Sequence, residues 1–153
     1  MPNLLRNVLA LLAGIAVGGV VNMALITVSP WLIPHPAGVD VSSAEGMGKA
    51  MHLFQPRHFI MPFLAHAVGT LAGALAAYLI AASHRSLVAY VVGALFLCGG
   101  VAASFMIPAP TWFVALDLTA AYLPMAWLGI RIGARAKQGK AGARYARAGG
   151  SGR

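Results

Sequence analysis

The chain has 153 residues, of which 59% are hydrophobic and only 9% are charged. Soluble proteins contain roughly 45–50% apolar and about 25% charged residues, so the composition excludes an ordinary soluble domain and also a disordered chain. One cysteine, Cys98, excludes an intrachain disulfide, and the formal net charge is +8. The composition is typical of an integral membrane protein.

Four apolar runs in the chain are each about twenty residues long, which at a rise of ~1.5 Å per residue matches the hydrocarbon thickness of a bilayer. They comprise residues 8–28, 59–82, 87–107 and 111–130. Backbone N–H and C=O groups cannot stay unpaired in lipid, so each run should be helical. The sequence predicts an all-α bundle of four transmembrane helices, arranged as two antiparallel hairpins, within residues 1–133.

The basic residues predict the orientation. All Lys and Arg residues except Lys49 and Arg57 lie before the first run, between the second and third, or after the fourth. The positive-inside rule then places both termini in the cytoplasm, and we expect a multi-pass protein of the bacterial inner (plasma) membrane. The first run is longer than the apolar core of a signal peptide and lacks an A-x-A site, so we expect it to be retained.

The last part of the chain, residues 134–153, is rich in Gly, Ala, Arg and Lys, and we predict a disordered cytoplasmic tail. The basic residues at the end of the fourth run and the start of the tail should contact anionic lipid headgroups. These residues are Arg131, Arg135, Lys137 and Lys140. The tail has no aromatic stacking platform, so nucleic acid is not an expected partner.

The external connection, residues 29–58, should contain an amphipathic helix at about 43–54. Ser42 and Glu45 have the spacing of a capping box, and Glu45 and Lys49 are placed to pair one turn apart. Apolar residues recur on the opposite face, which indicates a helix that lies at the membrane surface.

Polar residues inside the predicted spans are the most informative feature. Asn22, His66 and Asp117 each lie six or seven residues from the external end of a span, which places all three roughly 9–11 Å below the outer boundary. At ~100° per residue, each shares a helix face with Gly or Ala, and such faces normally point into a bundle. The predicted polar pocket in the outer half of the bundle consists of Asn22, His66, Thr70, Ser104 and Asp117.

Within this pocket, no Lys or Arg in the spans can pair with Asp117, so His66 is its expected partner. Aspartate and histidine together can form a proton relay or an acid–base site, and they can equally serve only to hold helices together. The sequence alone leaves both hypotheses open.

Metal binding is a weaker hypothesis. His52 and His58 are the only candidates of note, their spacing matches no metal-ligand motif, and we predict neither a metal site nor a cofactor. Catalytic motifs are also missing, so we name no catalytic residue and do not favour an enzyme.

The leading hypothesis is a membrane protein whose polar pocket binds a small ligand or mediates assembly, in a homodimer or with another membrane protein. The first alternative is proton-coupled transport of a small solute or ion through Asp117 and His66. The second is a membrane enzyme that acts on a lipid or quinone.

Overall fold

A computed structural model describes residues 2–149 of the chain, with side chains to residue 139. Within this range every regular element is helical. The α-helices are α1 (Asn3–Leu32), α2 (Ala44–Ala50), α3 (Ile60–Ile80), α4 (Arg85–Met106), α5 (Thr111–Ala120) and α6 (Leu123–Gly149), and two 3₁₀ turns cover Met51–Leu53 and Pro56–Phe59. Four helical stretches are long and apolar enough to cross a membrane. The all-helical class and the four apolar helices are therefore confirmed.

The helix α3 lies at the centre of the bundle and packs against α1, α4 and α6. Its close approach to α1 depends on glycine. A Cβ added to Gly73 would lie 2.6 Å from the carbonyl oxygen of Gly14, and one added to Gly69 would lie 2.9 Å from the carbonyl oxygen of Gly18. The same close approach brings Asn22 of α1 beside Gly69 of α3.

The outward faces of the helices are apolar. Val20, Met23 and Phe105, for example, are 69%, 63% and 86% exposed within the isolated chain. A continuous apolar surface of this extent is rare on a monomer in water, but it is normal for a protein surrounded by lipid. The surface therefore agrees with a bundle that sits in a membrane.

The two ends of the bundle differ. The long-loop end carries the connection of residues 33–59 and the short connection of residues 107–110, and the short-turn end carries residues 81–84. At the short-turn end, the Asn7 side chain accepts a hydrogen bond from the backbone N–H of Ala82 at 3.0 Å and donates one to Ser83 Oγ at 3.1 Å. These bonds join the beginning of α1 to the turn between α3 and α4.

The fourth predicted span is interrupted. We predicted one helix over residues 111–130, but α5 ends at Ala120 and α6 begins at Leu123. Pro124 explains the break, because it has no N–H to donate to the carbonyl of Ala120 and its ring clashes with a continuing helix. Both residues in the break, Ala121 and Tyr122, are buried.

The predicted disorder of residues 134–153 is also corrected, because α6 continues through Gly149. Residues beyond 133 extend an existing helix and need no new nucleus, and Ala, Arg, Lys and Gln are strong helix formers. Residues 150–153 of the predicted tail lie outside the described part of the chain.

The long loop contains the predicted helix in a shorter form, with α2 over Ala44–Ala50 and a 3₁₀ turn after it. Its N-cap is Ser43, whose side chain accepts a hydrogen bond from Gly46 N–H, and not Ser42 as predicted. Ser42 instead donates two hydrogen bonds to Asp40, which hold the pKa of that carboxyl below its ordinary value. The predicted Glu45–Lys49 pair is present at 2.7 Å, but both side chains are exposed, so it contributes little stability.

Candidate polar site in the bundle

Asp117 on α5 is the centre of a buried hydrogen-bond cluster. Its side chain is only 7% exposed, and both of its carboxylate oxygens lie 2.9 Å from Nδ1 of His66 on α3. The hydroxyl of Tyr122 donates to Asp117 Oδ2 at 2.9 Å. Two donors from different parts of the chain therefore converge on one carboxylate.

The break in the fourth span positions Tyr122. In a continuous helix, residues 117 and 122 would be five positions apart and would point in different directions. Where the helix is interrupted, the Tyr122 hydroxyl reaches back to Asp117, and the Tyr122 ring stacks on the His66 ring with centroids 5.8 Å apart. Pro124 thus acts on the site indirectly, through the backbone.

The electrostatics of this cluster follow from its donors. The Tyr122 hydroxyl and His66 Nδ1 both lie within hydrogen-bond distance of the Asp117 carboxyl group. His66 Nδ1 faces Asp117, and the other ring nitrogen, Nε2, forms no hydrogen bond with another described residue. In the neutral tautomer that carries its proton on Nδ1, Nε2 is a free acceptor. A carboxylate that orients an imidazole in this way is suited to holding or moving a proton at Nε2.

Three other residues of the predicted pocket lie around this cluster but do not bond to Asp117. Thr70 Oγ donates to the carbonyl of His66 at 2.7 Å, and Ser104 Oγ donates to the carbonyl of Val101 at 2.7 Å. Asn22 behaves differently. Its Oδ1 is buried and is the one such side-chain atom among the described residues that has no hydrogen-bond partner.

A large cavity opens between the site and the long-loop end, and we call it the outer cavity. Its volume is about 440 Å³, within the range of small-molecule sites. Most of its walls are apolar, with Met47, Met51 and Phe54 from the long loop and Phe59 and Phe113 from the bundle. His66, Ser104 and Asp117 supply polar groups to the same cavity.

A smaller cavity of about 210 Å³ also borders His66, and we call it the inner cavity. It is lined by Asn22, His66, Thr70 and Tyr122, with Phe96 and three small residues of α4 completing the wall. The inner and outer cavities share His66, Gly100 and Ala103, so they adjoin at the imidazole.

Sequence reasoning brought His66 and Asp117 together through depth and helix angle, but it missed Tyr122. The available signal was a tyrosine two residues before Pro124 in an otherwise apolar run, near the only carboxylate of the spans. A buried tyrosine usually needs a partner for its hydroxyl. That partner could be identified only once the helix was known to break.

The weak metal candidates are not assembled into a site. His52 is exposed, and Nδ1 of His58 accepts a hydrogen bond from Gln55 N–H at 2.8 Å. Among the described residues, no three His, Cys, Asp or Glu side chains are placed to hold one ion.

The basic residues at the end of the fourth span lie beside aromatic rings and helix ends. The Arg131 guanidinium is 4.9 Å from the ring centre of Trp127, and Lys137 Nζ donates to the carbonyl of Leu79 at 3.1 Å. Arg135 is exposed, and the side chain of Lys140 lies outside the described part of the chain.

The contact between His66 and Asp117 predicts that the two side chains are energetically coupled. In a double-mutant cycle of His66→Phe and Asp117→Asn, we expect a coupling of about 0.5–2 kcal/mol in unfolding free energy, measured in detergent. The control cycle pairs His66→Phe with Thr119→Val, because Thr119 is on α5 but faces outward. Additive effects in the first cycle would contradict an energetic coupling.

In comparisons with known proteins, no family, no curated protein and no solved structure matched this chain.

Proposed function

We propose that this chain is a membrane protein that binds a small amphiphilic molecule in the outer cavity, with the polar end of the ligand against His66 and the apolar body against the aromatic and methionine side chains. The observation that carries the proposal is the outer cavity itself, about 440 Å³ of mainly apolar space that contains a buried carboxylate–imidazole pair. A pocket with apolar walls and few convergent polar groups is the usual form of a small-molecule site.

A purely structural role for His66 and Asp117 does not explain why part of the His66 side chain is exposed. Side chains that only join helices bury all their polar groups against each other. Asp117 meets this expectation, but the His66 side chain is 26% exposed and lines two cavities. The free nitrogen of His66 therefore supports a role in contact with a ligand.

We also propose in which membrane the chain lies and how it is oriented there. We place the chain in the bacterial inner membrane as two antiparallel hairpins, with both termini in the cytoplasm and the long-loop end outside. The distribution of Lys and Arg supports this orientation, as do Arg131, Arg135 and Lys137 at the short-turn side of the fourth span, where anionic headgroups would attract them. The outer cavity would then open toward the periplasmic side. Assembly into a homodimer or with another membrane protein is compatible with the same site.

Proton-coupled transport is the second candidate, and one observation favours it. His66 is a titratable side chain that lines both the inner and the outer cavity. A group that exchanges a proton between two compartments is the minimal requirement of a proton relay. In this case Asp117→Asn would abolish solute flux in reconstituted vesicles while the folded protein stayed in the membrane.

Ligand binding can be tested by filling the cavity from α4. Ala103 lines both cavities, whereas its neighbour Ala102 is exposed on the outer face of the same helix. We expect Ala103→Leu to reduce at least tenfold the amount of a co-purifying small molecule, detected by mass spectrometry of the extracted protein. Ala102→Leu is the matched control and should carry the wild-type amount. Equal loading of the two variants would contradict a ligand in the cavity.

A further inference from the structure

Two arginines from different helices contact the last residues of α3 at the short-turn end of the bundle. Arg6 of α1 donates from Nε to the carbonyl of Ile80 at 2.8 Å. Arg85 of α4 donates from Nε to the carbonyl of Ala81 at 3.0 Å. Because the two acceptors belong to consecutive residues, the guanidinium groups are neighbours, with their Nε atoms within roughly 11 Å of each other.

These contacts leave most of each guanidinium group unused. An arginine side chain has five N–H donors, and only the Nε–H of Arg6 and that of Arg85 bond to another described residue. The terminal nitrogens of both side chains can therefore donate to an acceptor from outside the chain. Arg6 is also held in place, because its neighbour Asn7 bonds to the backbone N–H of Ala82 and to Ser83.

No acidic side chain neutralises these two arginines. The C-terminal end of a helix corresponds to about −0.5 charge, whereas the two guanidinium groups bring two full positive charges to it. The chain has three acidic residues, and two of them lie in the long loop. The third, Asp117, contacts His66, and residues 66 to 80 of α3 span roughly 21 Å. An anionic partner from outside the chain would therefore be stabilised at the short-turn end.

We propose that Arg6 and Arg85 together bind the phosphate of one anionic phospholipid. Guanidinium groups match phosphate oxygens in both geometry and charge. The site lies at the end of helices that are apolar and long enough to cross a membrane, which is the level of the lipid headgroups. Leu9, one turn along from Arg6, is 44% exposed and Ile80 is 38% exposed, so acyl chains would cover apolar surface that a free phosphate leaves bare. This site is separate from the outer cavity and goes beyond the proposed function.

The experiment measures lipid binding to the full chain in detergent by native mass spectrometry. Phosphatidylglycerol and phosphatidylcholine with identical acyl chains are added together in equal amounts, and the first bound lipid is identified. The wild-type protein should prefer phosphatidylglycerol by about tenfold or more, as expected of two basic residues that contact one anionic headgroup. Equal binding of the two lipids by the wild-type protein would overturn the proposal.

Replacing both arginines tests which residues form the site. Arg6→Gln combined with Arg85→Gln should lower the preference to about twofold or less. The matched control, Arg131→Gln combined with Arg135→Gln, removes two charges from the same end, but neither of these arginines bonds to another described helix. The control pair should keep a preference of about fivefold or more. An equal loss in the two pairs would indicate general attraction to the basic end and would rule out a site at Arg6 and Arg85.

A conservative pair keeps the test usable if the glutamine pair does not fold. Arg6→Lys combined with Arg85→Lys retains both charges, but lysine lacks the planar fork of arginine, so we expect the preference to fall to about threefold. An unchanged preference would contradict the role of the two guanidinium groups.

Inorganic phosphate distinguishes a lipid from a free anion as the occupant. At millimolar concentration it should leave phosphatidylglycerol bound to the wild-type protein, because it cannot replace the acyl-chain contacts. Displacement of the lipid would show that the two arginines bind phosphate alone, and the lipid would then be excluded as the specific occupant.

Discussion

Replacing Asp117 with leucine should lower the free energy of unfolding by about 2–4 kcal/mol, because the change leaves two donors without their acceptor. The Tyr122 hydroxyl is the more affected, since the residue is only 3% exposed. His66 loses less, because a quarter of its side chain faces a cavity. Thermal or denaturant unfolding in detergent would measure the effect.

The control for this variant is Thr119→Val, which also removes a polar group from α5 but on the exposed face. Its effect should stay within about 0.5 kcal/mol of wild type. A further variant tests the cause. Adding Tyr122→Phe to Asp117→Leu removes the orphaned hydroxyl and should recover about 1 kcal/mol. If the double variant is less stable than Asp117→Leu alone, the unpaired hydroxyl is not the source of the loss.

The second large effect is expected at the contact between α1 and α3. Gly73→Val should lower the free energy of unfolding by roughly 3 kcal/mol, because its Cβ would lie 2.6 Å from the carbonyl oxygen of Gly14 and 3.2 Å from Cα of Gly18. Both atoms belong to the backbone, so the two helices must move apart. Unfolding in detergent, or the yield of folded protein, would report the loss.

Gly19→Val is the matched control, since a Cβ at Gly19 has no neighbour within 4 Å. Valine brings the same change in helix propensity at both positions, so the difference between the variants isolates the packing term. Equal effects at Gly73 and Gly19 would show that the glycine contact does not support the bundle. Because Asn22 lies beside Gly69 on the same interface, Gly73→Val should also displace the wall of the inner cavity.

The candidate site was predictable in part from the sequence. His66 and Asp117 could be matched because each is the only Asp, Glu, His, Lys or Arg in its span, at similar depth and on a face of small residues. Helical periodicity and the cost of burying polar groups in lipid are enough to bring two such residues together. Ser104 and Thr70 line the two cavities beside this pair, and their hydroxyls bond to backbone carbonyls on their own helices.

Other features depended on how the backbone is interrupted or extended. The sequence does not show whether a helix bends or breaks at Pro124. In the structure it breaks, and the Tyr122 hydroxyl bonds to Asp117. The cap at Ser43 in place of Ser42 depended on the turn at Asp40, which accepts hydrogen bonds from both serines while Ser43 Oγ accepts one from Gly46 N–H. The helix continues from Ala134 to Gly149 because these residues extend the part of α6 that already lies in the fourth span.

Composition and the lengths of the apolar runs alone determined the four helices, because lipid leaves the backbone no other way to satisfy its hydrogen bonds. Only the tertiary structure decided that Tyr122 joins Asp117 and His66, that Asn22 Oδ1 stays unpaired, and that two cavities adjoin at His66. These features depend on distances between helices, which arise from glycine contacts and one helix break and leave no periodic pattern along the chain.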